Sequence, residues 1–142
     1  MTIAVGCDHA GFPLKQPVIQ FLKKKGYEIL DFGTNSPDSV DYPDFAHPAA
    51  LAVESGKAEF GVLMCGSGTG VAVTANKHQG IRCALCWKTD IAALARQHNN
   101  ANMIALPARF ISKRLALTLL EVFLNTEFEG GRHATRVNKM TC

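Results

Sequence analysis

No run of apolar residues in this 142-residue sequence approaches the roughly 18 that a membrane-spanning helix needs, so no segment reads as a transmembrane helix. The start of the chain has no basic stretch leading into an apolar core and a small-residue cleavage site, as a secretory signal would. Cysteine is present five times, an odd number without the spacing of a disulfide framework, and the two absences together read as a reduced, cytoplasmic protein. Excess charge of one sign is also missing. A net charge of +3 with 19% charged residues is too mild for a nucleic-acid binder unless the positive groups cluster. There is no internal repeat, low-complexity stretch or linker, so residues 1–142 are expected to form one domain, burying roughly 68 to 70% of the unfolded surface.

Metal and redox chemistry find little support. Histidines stand at positions 9, 47, 78, 98 and 133, none spaced as a helical pair, and Cys83-x-x-Cys86 has no second pair to complete four ligands. That motif falls inside a predicted fourth strand, where alternation sends the two thiols to opposite faces. Neither a metal nor a cofactor is expected.

The most informative stretch is Gly61 to Val73, GVLMCGSGTGVAV. Its first residues have the length and apolarity of a buried parallel strand. Gly66, Gly68 and Gly70 then force a tight turn before a helix begins. Glycines leave backbone amides free to face a ligand, and the first helical turn adds unpaired amides and the positive end of the dipole. A small anionic ligand or transition state suits this loop. Cys65 precedes those donors, in a setting that favours a thiolate, although a lone cysteine also serves as a small buried hydrophobe. The loop is not a Walker phosphate loop, because Lys77 is too far along and no Gly-Lys-Ser/Thr occurs. Val71 breaks the dinucleotide fingerprint.

Strand and helix alternate five times along the chain. Strands are expected at Thr2 to Cys7, Tyr27 to Phe32, Gly61 to Met64, Ile81 to Cys86 and Met103 to Leu106. Between them lie a helix after Pro13 with Leu14, Val18, Phe21 and Leu22 on one face, and another from Phe45 to Ser55. A further helix runs from about Thr89, with Ile91, Leu94, Ala95 and His98 sharing a face. The last is capped by Ser112 and packs through Ala116, Leu119, Leu120, Phe123 and Leu124. This alternation predicts an α/β fold, a Rossmann-like three-layer sandwich with a five-stranded parallel sheet and right-handed crossovers. Asp8 and His9, Cys65 with its loop, and the His98 and Asn99 segment are expected to meet at one sheet edge as an acid/base site. Arg132 and Arg136 stand four apart, so a helical turn there would aim both guanidinium groups one way, able to grip a phosphate, with Arg109 a third candidate. A solvated basic tail is the alternative.

DHAGF at 8–12, VDYPDFA at 40–46, CGSGTG at 65–70, ANK at 75–77, GIR at 80–82, ARQHNNAN at 95–102 and GGRH at 130–133 resemble, in order and nearly end to end, the ribose-5-phosphate isomerase B family. That family also includes galactose-6-phosphate isomerase subunits. The resemblance implies a metal-independent aldose-ketose isomerisation of ribose 5-phosphate to ribulose 5-phosphate through an enediolate. In that scheme Cys65 is the base, and Gly66, Ser67, Gly68, Thr69 and Gly70 form the oxyanion loop, with the Ser67 hydroxyl moving a proton between oxygens. His98 opens the furanose ring, Asp8 and Asn99 hold hydroxyls, and His9, Arg109, Arg132 and Arg136 surround the phosphate. It further implies a homodimer, or a tetramer, with each site shared between chains and the groups near His98 and Arg109 supplied by the neighbour. The sequence departs from the family pattern at Ser67, Thr69, Asn100 and Pro107, which bears on sugar preference. Val71 stands where a second branch of the family has a glutamate base, which puts this chain in the cysteine branch. A hexose 6-phosphate, such as allose or galactose 6-phosphate, is the alternative substrate. A nucleotide-binding module without activity is the alternative from another class, and a degenerate partner subunit a third.

Overall fold

The computed structural model describes residues 1–142. Five strands, β1 (Thr2–Cys7), β2 (Glu28–Asp31), β3 (Phe60–Cys65), β4 (Cys83–Leu85) and β5 (Met103–Pro107), form one parallel sheet in the order β2-β1-β3-β5-β4. Each is followed by a helix: α1 (Phe12–Lys24), α2 (Pro43–Glu54), α3 (Thr69–Ala75), α4 (Thr89–Gln97) and α5 (Lys113–Asn125), with a short α6 (Arg132–Asn138) closing the chain. The expected α/β three-layer sandwich is the fold that forms.

Strand alternation divides the core in two. Ile3, Val5, Val62, Met64, Ile104 and Leu106 face one way and pack with Leu14, Val18 and Leu22 of α1, Ala92 and Ala95 of α4, and Leu119, Leu120 and Phe123 of α5. Ala4, Leu63, Met103 and Ala105 face the other way, against the small side chains Ala46, Ala49, Ala50 and Val53 of α2 and Val71, Ala72 and Ala75 of α3. The alanines of α2 let its axis approach the sheet closely. Cys83 belongs to this second core and Cys86 to the first, so the two thiols are on opposite faces as alternation requires. Burial pushes the Cys86 thiol up to about 12 and Cys83 upward as well.

Several boundaries differ from the sequence expectation. Helix α2 starts at Pro43 rather than Phe45, because proline's fixed φ and missing amide suit a first helical position. β2 and β4 are shorter than Tyr27 to Phe32 and Ile81 to Cys86; both lie at sheet edges, with a single neighbour to pair with. The face of α4 is also different. Ala92, Ala95 and Arg96 are its buried residues, while Leu94 is 41% exposed. The buried arginine explains the rotation: Arg96 lies over the rings of Phe60 and Phe123 at 5.0 and 5.8 Å and donates to Asn100 Oδ1, the Ala101 carbonyl and the Thr126 carbonyl. A charged group so well supplied with acceptors and aromatic faces can occupy a core position.

Candidate active site

From β1 the chain goes outward to β2, then returns across the sheet to β3 and on to β5 and β4, so the strand order reverses between β1 and β3. In an open parallel sheet that reversal leaves a crevice at the carboxyl ends of the two strands. Asp8 ends one side of the crevice and Cys65 the other.

Asp8 is buried, and its Oδ1 accepts from the amides of Ala10 and Gly11, both at 2.9 Å, which caps the turn into α1. That turn is pressed onto the end of β3. A Cβ on Gly11 would stand 2.3 Å from the Met64 carbonyl oxygen, so only glycine fits. Next to it, His9 accepts through Nδ1 from the Val40 amide at 3.1 Å. Because Nδ1 is the acceptor, the ring proton sits on Nε2, which is left to donate to an anion.

Across the crevice, Cys65 is 5% exposed and its Sγ accepts from the Gly68 amide at 3.1 Å. Gly68 holds φ at +78°, and a Cβ there would stand 2.5 Å from Leu85 Cδ1. This left-handed residue turns the loop back so that its amide meets the sulfur. The Thr69 amide donates to Ser67 Oγ at 3.3 Å, whereas the amides of Gly66, Ser67 and Gly70 donate to no group of the chain. Both Ser67 and Thr69 side chains are exposed. Arg109, carried just past β5, folds over the loop: its amide donates to the Gly66 carbonyl at 3.0 Å, and its Cδ and Nη1 are each 3.3 Å from where a Gly66 Cβ would lie. One edge of one chain thus gathers Asp8, His9, Cys65, Gly66 to Gly70 and Arg109.

Tyr42, to which the sequence reading gave no role, belongs with them. Its ring packs on the first turn of α3, 2.7 Å from the position of a Gly70 Cβ. The VDYPDFA motif contained the signal, but nothing in its pattern showed where the loop would fold.

His98 and Asn99 are not at this edge. They follow α4 and precede β5, and the same turn ends at Asn102, whose carbonyl accepts from Gly61 at the amino end of β3. Cys65 pairs with Pro107 at the other end of the strands. Cys65 stands four positions along the strand from Gly61, about 13 Å at the usual rise. The single meeting point expected from the sequence is therefore corrected: a segment that precedes a parallel strand lies at its amino edge, opposite the crevice. Arg109 is corrected in the other direction, since this chain's own Arg109 already lies on the Gly66 loop.

The amino edge has its own constellation. The His98 ring stacks on His133 of α6 with centroids 4.1 Å apart and planes within 10°. Glu129 Oε1 lies 3.8 Å from His98 Nε2 and 3.6 Å from His133 Nε2. Arg132 and Arg136 stand on the same short helix, so the helical turn expected there does form. His133 is held below the ordinary histidine range, first by burial and then by the charges of His98 and Arg132, with Glu129 acting in the opposite sense. Alongside runs a cavity of about 460 Å³, lined by Asn76, Arg82, Cys83, Asn99, Val137 and Met140 among others. The ligating atoms of His98, Glu129 and His133 lie within 4.8 Å of one another, a cluster that helical spacing could not disclose. Parallel stacked imidazoles direct their in-plane lone pairs side by side rather than at a common point, so the group is poorly shaped to hold a metal ion.

The Ribose/Galactose Isomerase family model matches residues 3–140. Ribose-5-phosphate isomerase B of Escherichia coli K12 is 42% identical over 139 residues, covering 98% of this chain and 93% of the relative. Among solved structures, ribose-5-phosphate isomerase B of Clostridium thermocellum aligns with a TM-score of 0.97 at 48% identity, over 99% of this chain and 95% of the other. The enzyme of Mycoplasma genitalium, solved with bound ribulose-5-phosphate, aligns at 0.95 and 40%, over 98% and 93%. With a family match over nearly its whole length, and with sequence and structural relatives that agree with it, the chain belongs to the Ribose/Galactose Isomerase family.

Proposed function

We propose that this chain is an aldose-ketose isomerase interconverting D-ribose 5-phosphate and D-ribulose 5-phosphate, with Cys65 as the base. The observation that carries the assignment is the 3.1 Å contact between the Gly68 amide and Cys65 Sγ, beside three amides with no partner in the chain. A base next to preorganised donors is what proton abstraction beside a carbonyl requires.

The chemistry runs as follows in the open-chain sugar. Cys65 removes the C2 proton, the C2–H electrons form the C1–C2 double bond, and O1 takes the negative charge under the loop amides. Ser67 moves the O2 hydroxyl proton to O1. The proton on Cys65 then returns to C1, and C2 becomes the ketone. One such amide donor is commonly worth roughly 2.7 to 4 kcal/mol of barrier. Asp8, whose Oδ2 accepts from no group of the chain, holds a sugar hydroxyl, and His9 with Arg109 meets the phosphate.

His98 opens the ring as proton donor and Asn99 holds a hydroxyl, but in one chain they stand across the sheet from Cys65. We therefore assign each site to two chains of a homodimer. Cys65, its loop, Asp8, His9 and Arg109 come from one chain, and His98, Asn99, Arg132 and Arg136 from the second. The odd cysteine count supports a reducing, cytoplasmic setting.

The test is conversion of ribose 5-phosphate by purified protein in EDTA, with Cys65→Ala in parallel. Turnover by the parent and its loss in a folded variant, by about a hundredfold or more, is expected. Activity confined to a hexose 6-phosphate would keep the mechanism and change the substrate. Full activity in Cys65→Ala would remove Cys65 as the base.

A further inference from the structure

Glu129 lies in the connection between α5 and α6, outside every motif role assigned so far. Its backbone amide donates to the Gln97 carbonyl at 3.1 Å, which fastens it beside the turn that carries His98. Its side chain meets the two stacked imidazoles together, with one oxygen 3.8 Å from His98 Nε2 and 3.6 Å from His133 Nε2. Stacking at 4.1 Å and 10° fixes the plane of the His98 ring but permits the 180° flip about Cβ–Cγ that keeps this plane and exchanges ring nitrogens with ring carbons. A carboxylate at the ring's edge distinguishes the two flips, because only one of them places Nε2 beside it. His133, buried beneath and held toward its neutral form, supplies a flat uncharged face.

We propose that Glu129 is a positioning residue for His98, selecting the flip of its ring against His133 and supplying the counter-charge for the imidazolium that protonates the furanose ring oxygen. This rests on the isomerase reading above. In ring opening, the O1 hydroxyl proton leaves to water and O1 forms the carbonyl with C1. The C1–O4 bond breaks with its electron pair going to O4, which takes the proton from His98; water then returns a proton to the imidazole. An orienting carboxylate holds the donor aimed throughout that exchange, as the third member of a catalytic triad does for its histidine. No further reactant is needed.

The experiment separates ring opening from the isomerisation that follows it. Ribulose 5-phosphate is open-chain, so exchange of its C1 hydrogen with deuterated water depends on Cys65 and the loop but not on opening a ring. Glu129→Gln, which keeps the shape and removes the charge, is expected to lower kcat on ribose 5-phosphate by about tenfold or more with KM little changed. Exchange into ribulose 5-phosphate should remain within about twofold of the parent. Glu129→Asp should recover part of the turnover, and it takes the place of the glutamine variant in the comparison if that variant does not fold. Glu127→Gln, an exposed carboxylate two residues away, should match the parent in both assays. Equal losses in turnover and exchange, or no loss in either, would overturn the role. A parent inert toward both sugars would instead overturn the isomerase reading.

Discussion

Five thiols occupy this chain and only one has surroundings suited to a base. Cys7 is pushed up to about 11 and Cys86 to about 12, in each case first by burial in the core, so both stay protonated at neutral pH. Cys65 is also buried, but a backbone donor reaches its sulfur. That donor depends on Gly68, whose φ of +78° is costly for any residue with a Cβ. Gly68→Ala would also drive its methyl toward Leu85 Cδ1 and the Pro107 backbone, 2.5 and 3.2 Å away. The variant is expected to lose roughly 1 to 3 kcal/mol of stability and about a hundredfold or more in kcat/KM. Urea unfolding and steady-state kinetics read the two effects separately. A stable variant with parental kinetics would show that the left-handed turn does not aim the Cys65 donor.

The elements were legible where period and punctuation agreed. The apolar run before Cys65 gave β3, and Ser112 gave the start of α5, where its Oγ accepts from the Leu115 amide at 3.0 Å. What failed was the assumption that a long cationic side chain lies outside. Placing Ile91, Leu94, Ala95 and His98 on one face treated Arg96 as solvated, and the error rotated α4. A further inference failed for a topological reason: motif order along the chain does not say which edge of the sheet a turn occupies, so His98 and Asn99 were expected at the same edge as Cys65. Lys15 escaped notice in the same way as Arg96. It is 1% exposed, with its ammonium 2.9 Å from Asp31 Oδ2, and no sequence period shows a cation paired inside.

Arg96 also determines how α4 ends. Its guanidinium binds Asn100 Oδ1 at 3.0 Å, and Asn100 is the one non-glycine residue with positive φ, at +46°. Asparagine tolerates that conformation better than most side chains, so this one residue supplies both the turn and the acceptor. Asn100→Ala removes both advantages. It should cost about 1 to 3 kcal/mol in thermal or urea unfolding and lower turnover, because His98 and Asn99 belong to the same turn. If stability falls and kinetics do not, the turn does not position His98.

At the scale of the whole molecule, the sheet separates two groups of polar residues that the proposed reaction needs together. The carboxyl edge offers Cys65, amide donors, His9 and Arg109, while the amino edge offers His98, Asn99 and the arginines of α6. Moving either group across roughly 13 Å within one chain would require dismantling β3 or β5, which are interior strands buried at every residue but Phe60. Pairing two chains about a twofold axis brings opposite edges together without any such change, and it makes two equivalent sites at once. The consequence is testable with two inactive proteins. In the proposed homodimer, Cys65→Ala and His98→Ala each damage both sites. A mixed dimer contains one site with both defects and one with neither. After subunit exchange at equal concentrations, about half of the dimers are mixed and about a quarter of all sites are intact, so activity should rise toward about a quarter of the parental value. Denaturation and joint refolding, or co-expression, provide the exchange, and unmixed controls fix the baseline. Activity that never exceeds the sum of the two separate variants, in samples where mass spectrometry shows mixed dimers, would mean that each chain completes its own site.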